Sequence, residues 1–231
     1  TRCSHVTGVQ TCALPIFNLS PKDFSTQGYV LRRTNYGEAD RILNLLTPMG
    51  KISVIAKGVR KEKSKLAGGI EMFCLGDFQI HQGLGRLGVV TGAKMLKFHQ
   101  GLVANLDLLE TATLMLKKVS IAVENSEDPV FFEMIRQAFL ALDRHFNPKL
   151  VEAWFWLNFA QANGEELNLY RDTTDNKLLE STDYVWDTNE LALKPQIGGN
   201  IDANTIKLMR LLLTADLELV NRVKNFASWQ S

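Results

Sequence analysis

Residues 29–80 read YVLRRTNYGEADRILNLLTPMGKISVIAKGVRKEKSKLAGGIEMFCLGDFQI, and the fold turns on how this stretch is divided. It breaks into short β-rich runs separated by turn residues, the pattern of a small all-β unit. Strands are expected near Tyr29–Arg33, Arg41–Thr47, Lys51–Lys57 and Met72–Gln82, with a fifth just beyond, near Val89–Phe98. The third has the clearest period of two: Ile52, Val54 and Ala56 fall on one face and Lys51, Ser53, Ile55 and Lys57 on the other. That pattern predicts one core face and one basic face. Pro48-Met49-Gly50 supplies a tight turn before it, and a cluster containing Arg60, Lys61, Lys63 and Lys65 follows it. Five such strands in about 75 residues fit an OB-like barrel, a fold whose middle strands and hairpin loops bind oligonucleotides.

Working outward, the charge of the chain divides at the end of these strands. Residues 25–100 hold 12 Lys and Arg against 5 Asp and Glu, a net of +7, and residues 101–231 hold 12 against 19, a net of −7. The formal net charge of +1 over all 231 residues conceals this. A basic module attracts polyanions, whereas an acidic one is a solvated or protein-binding body. Lys and Arg on the barrel would meet phosphates, releasing counterions and giving affinity without base readout. Stacking needs aromatic platforms. Of Tyr29, Tyr36, Phe73, Phe78 and Phe98, only Tyr36 falls in an expected loop; the others sit in apolar strand patterns and are expected in the core.

Gly83-Leu84-Gly85-Arg86-Leu87-Gly88 matches G-x-G-x-x-G, but a dinucleotide fingerprint opens a helix and here Val89-Val90-Thr91 continues as a strand. The glycines read as a hairpin from which Arg86 is free to reach a phosphate.

The acidic half is helical. Leu109, Ala112, Leu116, Val119 and Val123 mark one face of a helix beginning after Asn105. Asp128-Pro129 pairs an N-cap with Pro at the first helical position, before the stripe Phe131, Ile135, Ala138 and Leu142. Asn147-Pro148 repeats the device. Its helix, with Leu150, Val151, Trp154, Phe155, Trp156, Leu157 and Phe159, is apolar nearly all round, as a central bundle element would be, and Asn163-Gly164 ends it. Its aromatic residues are expected to pack in the core. Residues 165–200 form a polar, acidic insert with a β-like fragment at Tyr184–Trp186; Asp172, Asp175, Asp183 and Asp187 there read as solvated surface. Two last helices are expected at Ala203–Leu213 and Leu217–Lys224.

Several classes find no support in these residues. There is no P-loop, H-E-x-x-H or G-x-S-x-G pattern, and no Ca²⁺-binding loop of the D-x-[DN]-x-[DN]-G kind. His5, His81, His99 and His145 are scattered, and no C-x-x-C pair exists, so no metal and no cofactor are expected. No run approaches the roughly 18 to 20 apolar residues of a membrane helix, which points to a cytoplasmic protein without a membrane partner. Residues 1–16, TRCSHVTGVQTCALPI, lack periodicity, and Val6–Ile16 resembles translated sequencing-adapter read-through. Setting it aside removes Cys3 and Cys12, leaving Cys74 in an apolar run as a buried, inert thiol.

An ordered set of short motifs adds to this reading: Tyr36-Gly37-Glu38, Asp40-Arg41-Ile42, Gly50-Lys51-Ile52, Lys57-Gly58 with Arg60, and Lys63-Ser64 with Leu66. Together they resemble the N-terminal barrel of the bacterial RecO family of recombination mediators, and the likeness continues more faintly to about Lys224. The resemblance implies an OB-fold barrel that binds single- and double-stranded DNA, followed by a helical domain that contacts protein partners. It further implies strand annealing, remodelling of single-strand-binding protein, and action with RecR in loading RecA, in the cytoplasm at the nucleoid. The basic positions carried over are Arg32, Arg33, Arg41, Lys51, Lys57, Arg60, Lys61, Lys63 and Lys65. Many relatives carry a four-cysteine zinc site after the central helices; residues 163–200 contain no Cys, so local rigidity there must come from packing.

The sequence thus predicts an α+β protein. It has a leader at 1–24, an OB-fold DNA-binding barrel at 25–100 and a helical partner-binding domain at 101–231. Its expected role is that of a non-enzymatic DNA-repair mediator. Lys117, Lys118 and Arg136 are the candidates for receiving the acidic-hydrophobic C-terminal tail of single-strand-binding protein. The alternatives are an RNA-binding or translation-associated OB protein, and a Mg²⁺-dependent nuclease or phosphoesterase using Asp and Glu of the acidic insert.

Overall fold

In the computed structural model the described residues are 22–62, 64, 66–85, 87–124 and 128–222. Residues 1–21, with the adapter-like stretch, lie outside them, as do Lys63, Lys65, Arg86 and Lys224.

The first strand, β1 (Lys22–Tyr36), is long because it serves two neighbours. Lys22 to Tyr29 pair antiparallel with β4 (Cys74–Gln82), and Tyr29 to Tyr36 pair with β2 (Asp40–Thr47). It therefore starts seven residues before the expected Tyr29, and takes in Lys22, Asp23 and Phe24 from the stretch read as leader; Phe24 packs against the barrel core. From β2 the chain turns through Thr47–Gly50, where the Thr47 hydroxyl donates to the Gly50 carbonyl (2.8 Å) and Gly50 adopts φ +90°. That conformation favours glycine. Next comes β3 (Gly50–Ala56), antiparallel to β2. The ring closes where β3 meets β5 (Gly88–Phe98) in parallel, Val54 opposite Gly88 and Ile55 opposite Val89. A Cβ on Gly88 would lie 2.8 Å from Ile80, so the closure needs glycine there. The resulting closed barrel, in the order β1-β2-β3-β5-β4, is the expected five-stranded OB-type architecture. The glycine-containing segment leads into strand β5 and not into a helix, as read.

Val30, Leu43, Leu45, Val54, Phe78, Ile80 and Val90 fill the barrel. A bulge between Val30 and Arg32 then resets the alternation of β1. Strict period two would aim Arg32 into this core; the extra residue returns it to the outer face, opposite Asn44.

Helices follow at once: α1 (Gln100–Val103), α2 (Leu106–Ala122), α3 (Val130–Asp143) and α4 (Pro148–Ala162). Asn105 and Asn147 cap their helices as expected, whereas Pro129, expected at the first helical position, is itself the N-cap residue of α3, with Asp128 one residue before it. Asn105 accepts from Asp107 and Leu108 N–H, Asp128 from Val130 N–H, and Asn147 from Lys149 N–H with Pro148 in the first turn. Past Asn163, Gly164 lies at φ +83°. The central element is α3, not α4 as its composition suggests: α3 buries eight side chains, including Phe131, Phe132, Ile135 and Phe139, against four on α4. The remaining apolar face of α4 is shared with α5 (Ala203–Thr214), which packs along it. The last helix, α6 (Leu217–Val220), is a single turn.

The acidic insert is more ordered than its composition suggests. Its strands β6 (Asn168–Asp172), β7 (Tyr184–Asp187) and β8 (Ala192–Pro195) form a sheet in the order β6-β8-β7 over Leu169, Tyr184, Leu193, Ile201 and Ile206. Asp172, read as solvated surface, is buried instead. It accepts from Thr174 N–H (2.8 Å), the Thr174 hydroxyl (2.7 Å) and Asn176 N–H (3.0 Å), tying a turn on itself. Those bonds hold its carboxyl below the ordinary range.

Barrel and helices share one core. Tyr29 and Leu46, opposite each other on β1 and β2, point out of the barrel into the helical cluster. The Tyr29 ring packs on Phe132 and Phe139 at centroid separations of 5.9 and 5.5 Å. Its hydroxyl lies 3.2 Å from Nε2 of fully buried His99. With the His99 proton on Nδ1, which faces the Asp143 carboxylate at 3.9 Å, Nε2 accepts from Tyr29. Asp143 is itself held by Gly101 N–H (2.8 Å) and Lys97 Nζ (2.9 Å). Burial lowers the pKa of His99 to about 4, against the opposing pull of Asp143.

Because folding lowers this pKa below 6.5, the neutral ring contributes its full stability above pH 6.5 and loses it as pH falls towards 4. Chemical denaturation at pH 7 and pH 4 is expected to show a loss assignable to His99 on the order of 3 kcal/mol, one pKa unit being about 1.4 kcal/mol. In His99→Gln that part of the pH dependence disappears; an identical pH profile in the variant would refute the assignment.

Candidate nucleic-acid interface

The outward row of the barrel begins with Arg32, in register with Asn44 on β2 and Ser53 on β3; the Ser53 hydroxyl donates to Asn44 Oδ1 (3.0 Å). This outer face is mixed, since Ile42 and Ile55 lie on it beside the polar groups. The face expected to carry Lys51, Ser53, Ile55 and Lys57 thus contributes one strand cation, Lys51. Lys57, counted as its last member, stands in the turn that follows the strand.

That turn gathers the cations. The β1–β2 hairpin runs Tyr36-Gly37-Glu38-Ala39-Asp40, with Gly37 at φ +56° and Tyr36 55% exposed. The chain after β3 is laced to it: Gly58 N–H donates to Asp40 Oδ1 (2.7 Å), Arg60 N–H to the Ala39 carbonyl (2.9 Å), and Arg60 Nη1 to the Gly37 carbonyl (3.4 Å). Val59 inserts into the barrel core between them. Exposed Lys57, Arg60 and Lys61 are therefore fixed beside exposed Tyr36 at one end of the barrel. Arg41 joins them half-buried, its Nε donating to Asn35 Oδ1 (3.3 Å). Among the described residues Arg32, Lys57, Arg60 and Lys61 form no ion pair with this chain.

The other barrel cations are engaged. Arg33, opposite Leu43, sits at the barrel mouth and pairs with Glu71 (2.7 Å). Lys51 pairs with Glu124 at the end of α2. Lys63, Lys65 and Arg86 lie outside the described residues. Of the aromatic residues expected in the core, Tyr29 and Phe78 are buried and Phe73 packs on the helical cluster. Phe98 departs from this at 40% exposure, because the end of β5 has left β3 behind. Cys74 is buried, which pushes its thiol up to about 11.

The helical candidates do not converge. Lys117 and Lys118 are exposed on α2, whereas Arg136 is held by Glu133 (2.5 Å) beside a mixed-charge cleft between α3 and α6. An apolar groove of about 460 Å³ lies elsewhere, between α4, α5 and the small sheet. Trp156, Leu157, Trp186, Met209 and Leu212 line it, with Lys149 also on its wall. The α4 aromatics pack in the core as read, Trp154 and Phe155 fully and Trp156 and Phe159 partly buried against it, and Trp156 also lines this groove. Sequence signalled it only through the all-round apolarity of α4. Among the described residues no three His, Cys, Asp or Glu side chains group as a metal site.

Residues 22–99 match the family model described as "Recombination protein O N terminal". The chain is similar to the DNA repair protein RecO of Dehalococcoides mccartyi, with 30% identity over 213 residues that span 88% of this chain and 83% of that protein. The RecO of Rubrobacter xylanophilus is 33% identical over 143 residues, 61% of this chain and 57% of its own. That of Listeria monocytogenes is 22% identical over 204 residues, covering 85% and 80%.

The bond from Gly58 to Asp40 is the pin between hairpin and turn. Asp40→Ala is expected to cost about 1 to 2 kcal/mol in denaturant unfolding, as for loss of a charge-assisted hydrogen bond. Asp40→Asn, which keeps an acceptor oxygen, should fall between; equal stabilities for all three proteins would contradict the role given to the carboxylate.

Proposed function

Because the chain belongs to the RecO family and so to DNA repair and recombination, we propose that its barrel holds DNA by the phosphate backbone while the helical body engages protein partners. The observation that carries this reading is the division of the barrel cations. Arg32, Lys57, Arg60 and Lys61 are left without carboxylate partners among the described residues, the last three at the hairpin that exposes Tyr36, while Arg33 and Lys51 are paired. Exposed lysine and arginine side chains without a carboxylate partner meet phosphate without first breaking an ion pair, and the release of condensed counterions drives the contact. Tyr36 offers one stacking surface, so affinity is governed by charge and little by base sequence.

Single- and double-stranded DNA both present such a backbone. Annealing follows from the same chemistry: neutralising phosphates lowers the repulsion that keeps two complementary strands apart. No bond is made or broken in this scheme, in keeping with a sequence that carries no P-loop, zincin or nucleophile-elbow motif. The wider role is that of a mediator that acts with RecR and single-strand-binding protein to assist RecA loading. The groove between α4 and α5 suits the acidic-hydrophobic tail of single-strand-binding protein better than Lys117, Lys118 and Arg136 do. It joins apolar walls to Lys149, whereas Arg136 is already occupied by Glu133. Among the described residues no helix is long and apolar enough to cross a membrane, and the proposed place of work is the cytoplasm, at the nucleoid.

A salt titration of single-stranded oligonucleotide binding tests the reading. With four phosphates engaged, the slope of log K against log[salt] is expected near −2.8, from about −0.7 per phosphate. Arg60→Ala/Lys61→Ala should bring it to about −1.4 with lower affinity, and an unchanged slope would exclude these residues from the contact.

A further inference from the structure

Lys51 stands two residues before Ser53 on the same outer face of β3, the face that carries Arg32 and Asn44. Unlike the free cations, it is covered: its side chain is 13% exposed and its Nζ is paired with Glu124, 73 positions along the chain. Both ends of this pair are positioned by the joint between barrel and helices. Leu46, opposite Lys51 on β2, is buried in the helical cluster, and so is Val123, the residue before Glu124. The Glu124 side chain itself is 58% exposed, so it is the partner able to swing away without opening the core. A carboxylate held against a lysine at the border of a phosphate-binding surface offers that lysine the charge and acceptor oxygens that a phosphate would.

We propose that Glu124 is an intramolecular phosphate mimic: it keeps Lys51 out of the nucleic-acid surface until a DNA strand running along β3 displaces it. The inference rests on the DNA-binding reading of the barrel. Exchange of carboxylate for phosphate at one lysine yields little net free energy, so in the resting protein Lys51 adds little to affinity. Once Glu124 is neutralised, the same lysine becomes a full phosphate contact. The acidic body thereby sets the strength of the basic one through a single side chain.

The test uses the full chain, a single-stranded oligonucleotide, and four proteins: wild type, Glu124→Gln, Lys51→Ala and the double variant. Glu124→Gln is expected to bind roughly three-fold tighter at low salt, the scale of one ion pair, with a slope steeper by about 0.7. Lys51→Ala should cost less in the otherwise intact chain than in the Glu124→Gln background, where it erases the gain. Wild-type affinity and slope in Glu124→Gln, while Arg60→Ala/Lys61→Ala still weakens binding, would overturn the mimic and leave the barrel reading intact. A gain that survives in the double variant would also overturn it. So would loss of folding in Glu124→Gln, followed by thermal unfolding, which would make the pair a structural strut. Absence of binding by all four proteins would remove both readings.

Discussion

Burial of Tyr29 is the constraint on which the rest of the structure depends. It lies on the outer face of a barrel strand, and a free barrel would expose its ring to water. Phe132 and Phe139 of α3 cover it, so the barrel is completed only by the helices. A buried phenol also needs a polar partner. His99 supplies it from the one-residue link between β5 and α1, and Asp143 at the end of α3 faces the far side of the imidazole. Strand and linker are thus joined by a hydrogen bond inside an aromatic cluster, and the helix end is tied to the same linker through the Asp143 bond from Gly101 N–H. The chain leaves β5 in one direction because a histidine must meet a tyrosine there.

Fixing the joint also decides which cations are spent on the protein itself. Lys97 belongs to Asp143 and Lys51 to Glu124, both at the seam. Away from it, the turn after β3 is tied down by backbone donors, one aspartate and the bond from Arg60 Nη1 to the Gly37 carbonyl, which leaves Lys57, Arg60 and Lys61 without carboxylate partners among the described residues. Asp40 holds the turn through an N–H rather than through a lysine or arginine. The local stability of the turn is therefore obtained without neutralising the cations it presents.

Sequence made part of this legible. The strands of the barrel and the three capped helices announced themselves through period two, Asn105, Asp128-Pro129 and Asn147-Pro148, because those signals act over a few residues. The cluster at Lys57–Lys61 was visible as charge. What sequence did not carry is pairing over distance: nothing near Lys51 points to Glu124, and nothing near Arg33 points to Glu71. Free and engaged lysines look alike in one dimension. The bulge that turns Arg32 outward has no glycine to mark it. Of the small sheet only β7 was visible, as the fragment Tyr184–Trp186, since its core is assembled from Leu169, Tyr184, Leu193 and two residues beyond it, none forming a periodic run.

The acidic insert shows how a fold segment keeps its shape with few apolar residues. Asp172 has a low pKa from three hydrogen bonds and not from a nearby cation, and these bonds close the turn after β6. Asp202 repeats the arrangement with Thr205 at the start of α5, so the chain is pinned after the first strand of the sheet and again beyond its last by carboxylates that accept from their own neighbourhood. A negative charge used in this way leaves no cation engaged, and the insert remains acidic on its surface. The overall charge asymmetry of the chain is therefore compatible with order in both halves: cations at the β3 turn are left without carboxylate partners among the described residues, and carboxylates of the insert are satisfied by backbone and hydroxyl donors where a turn must hold.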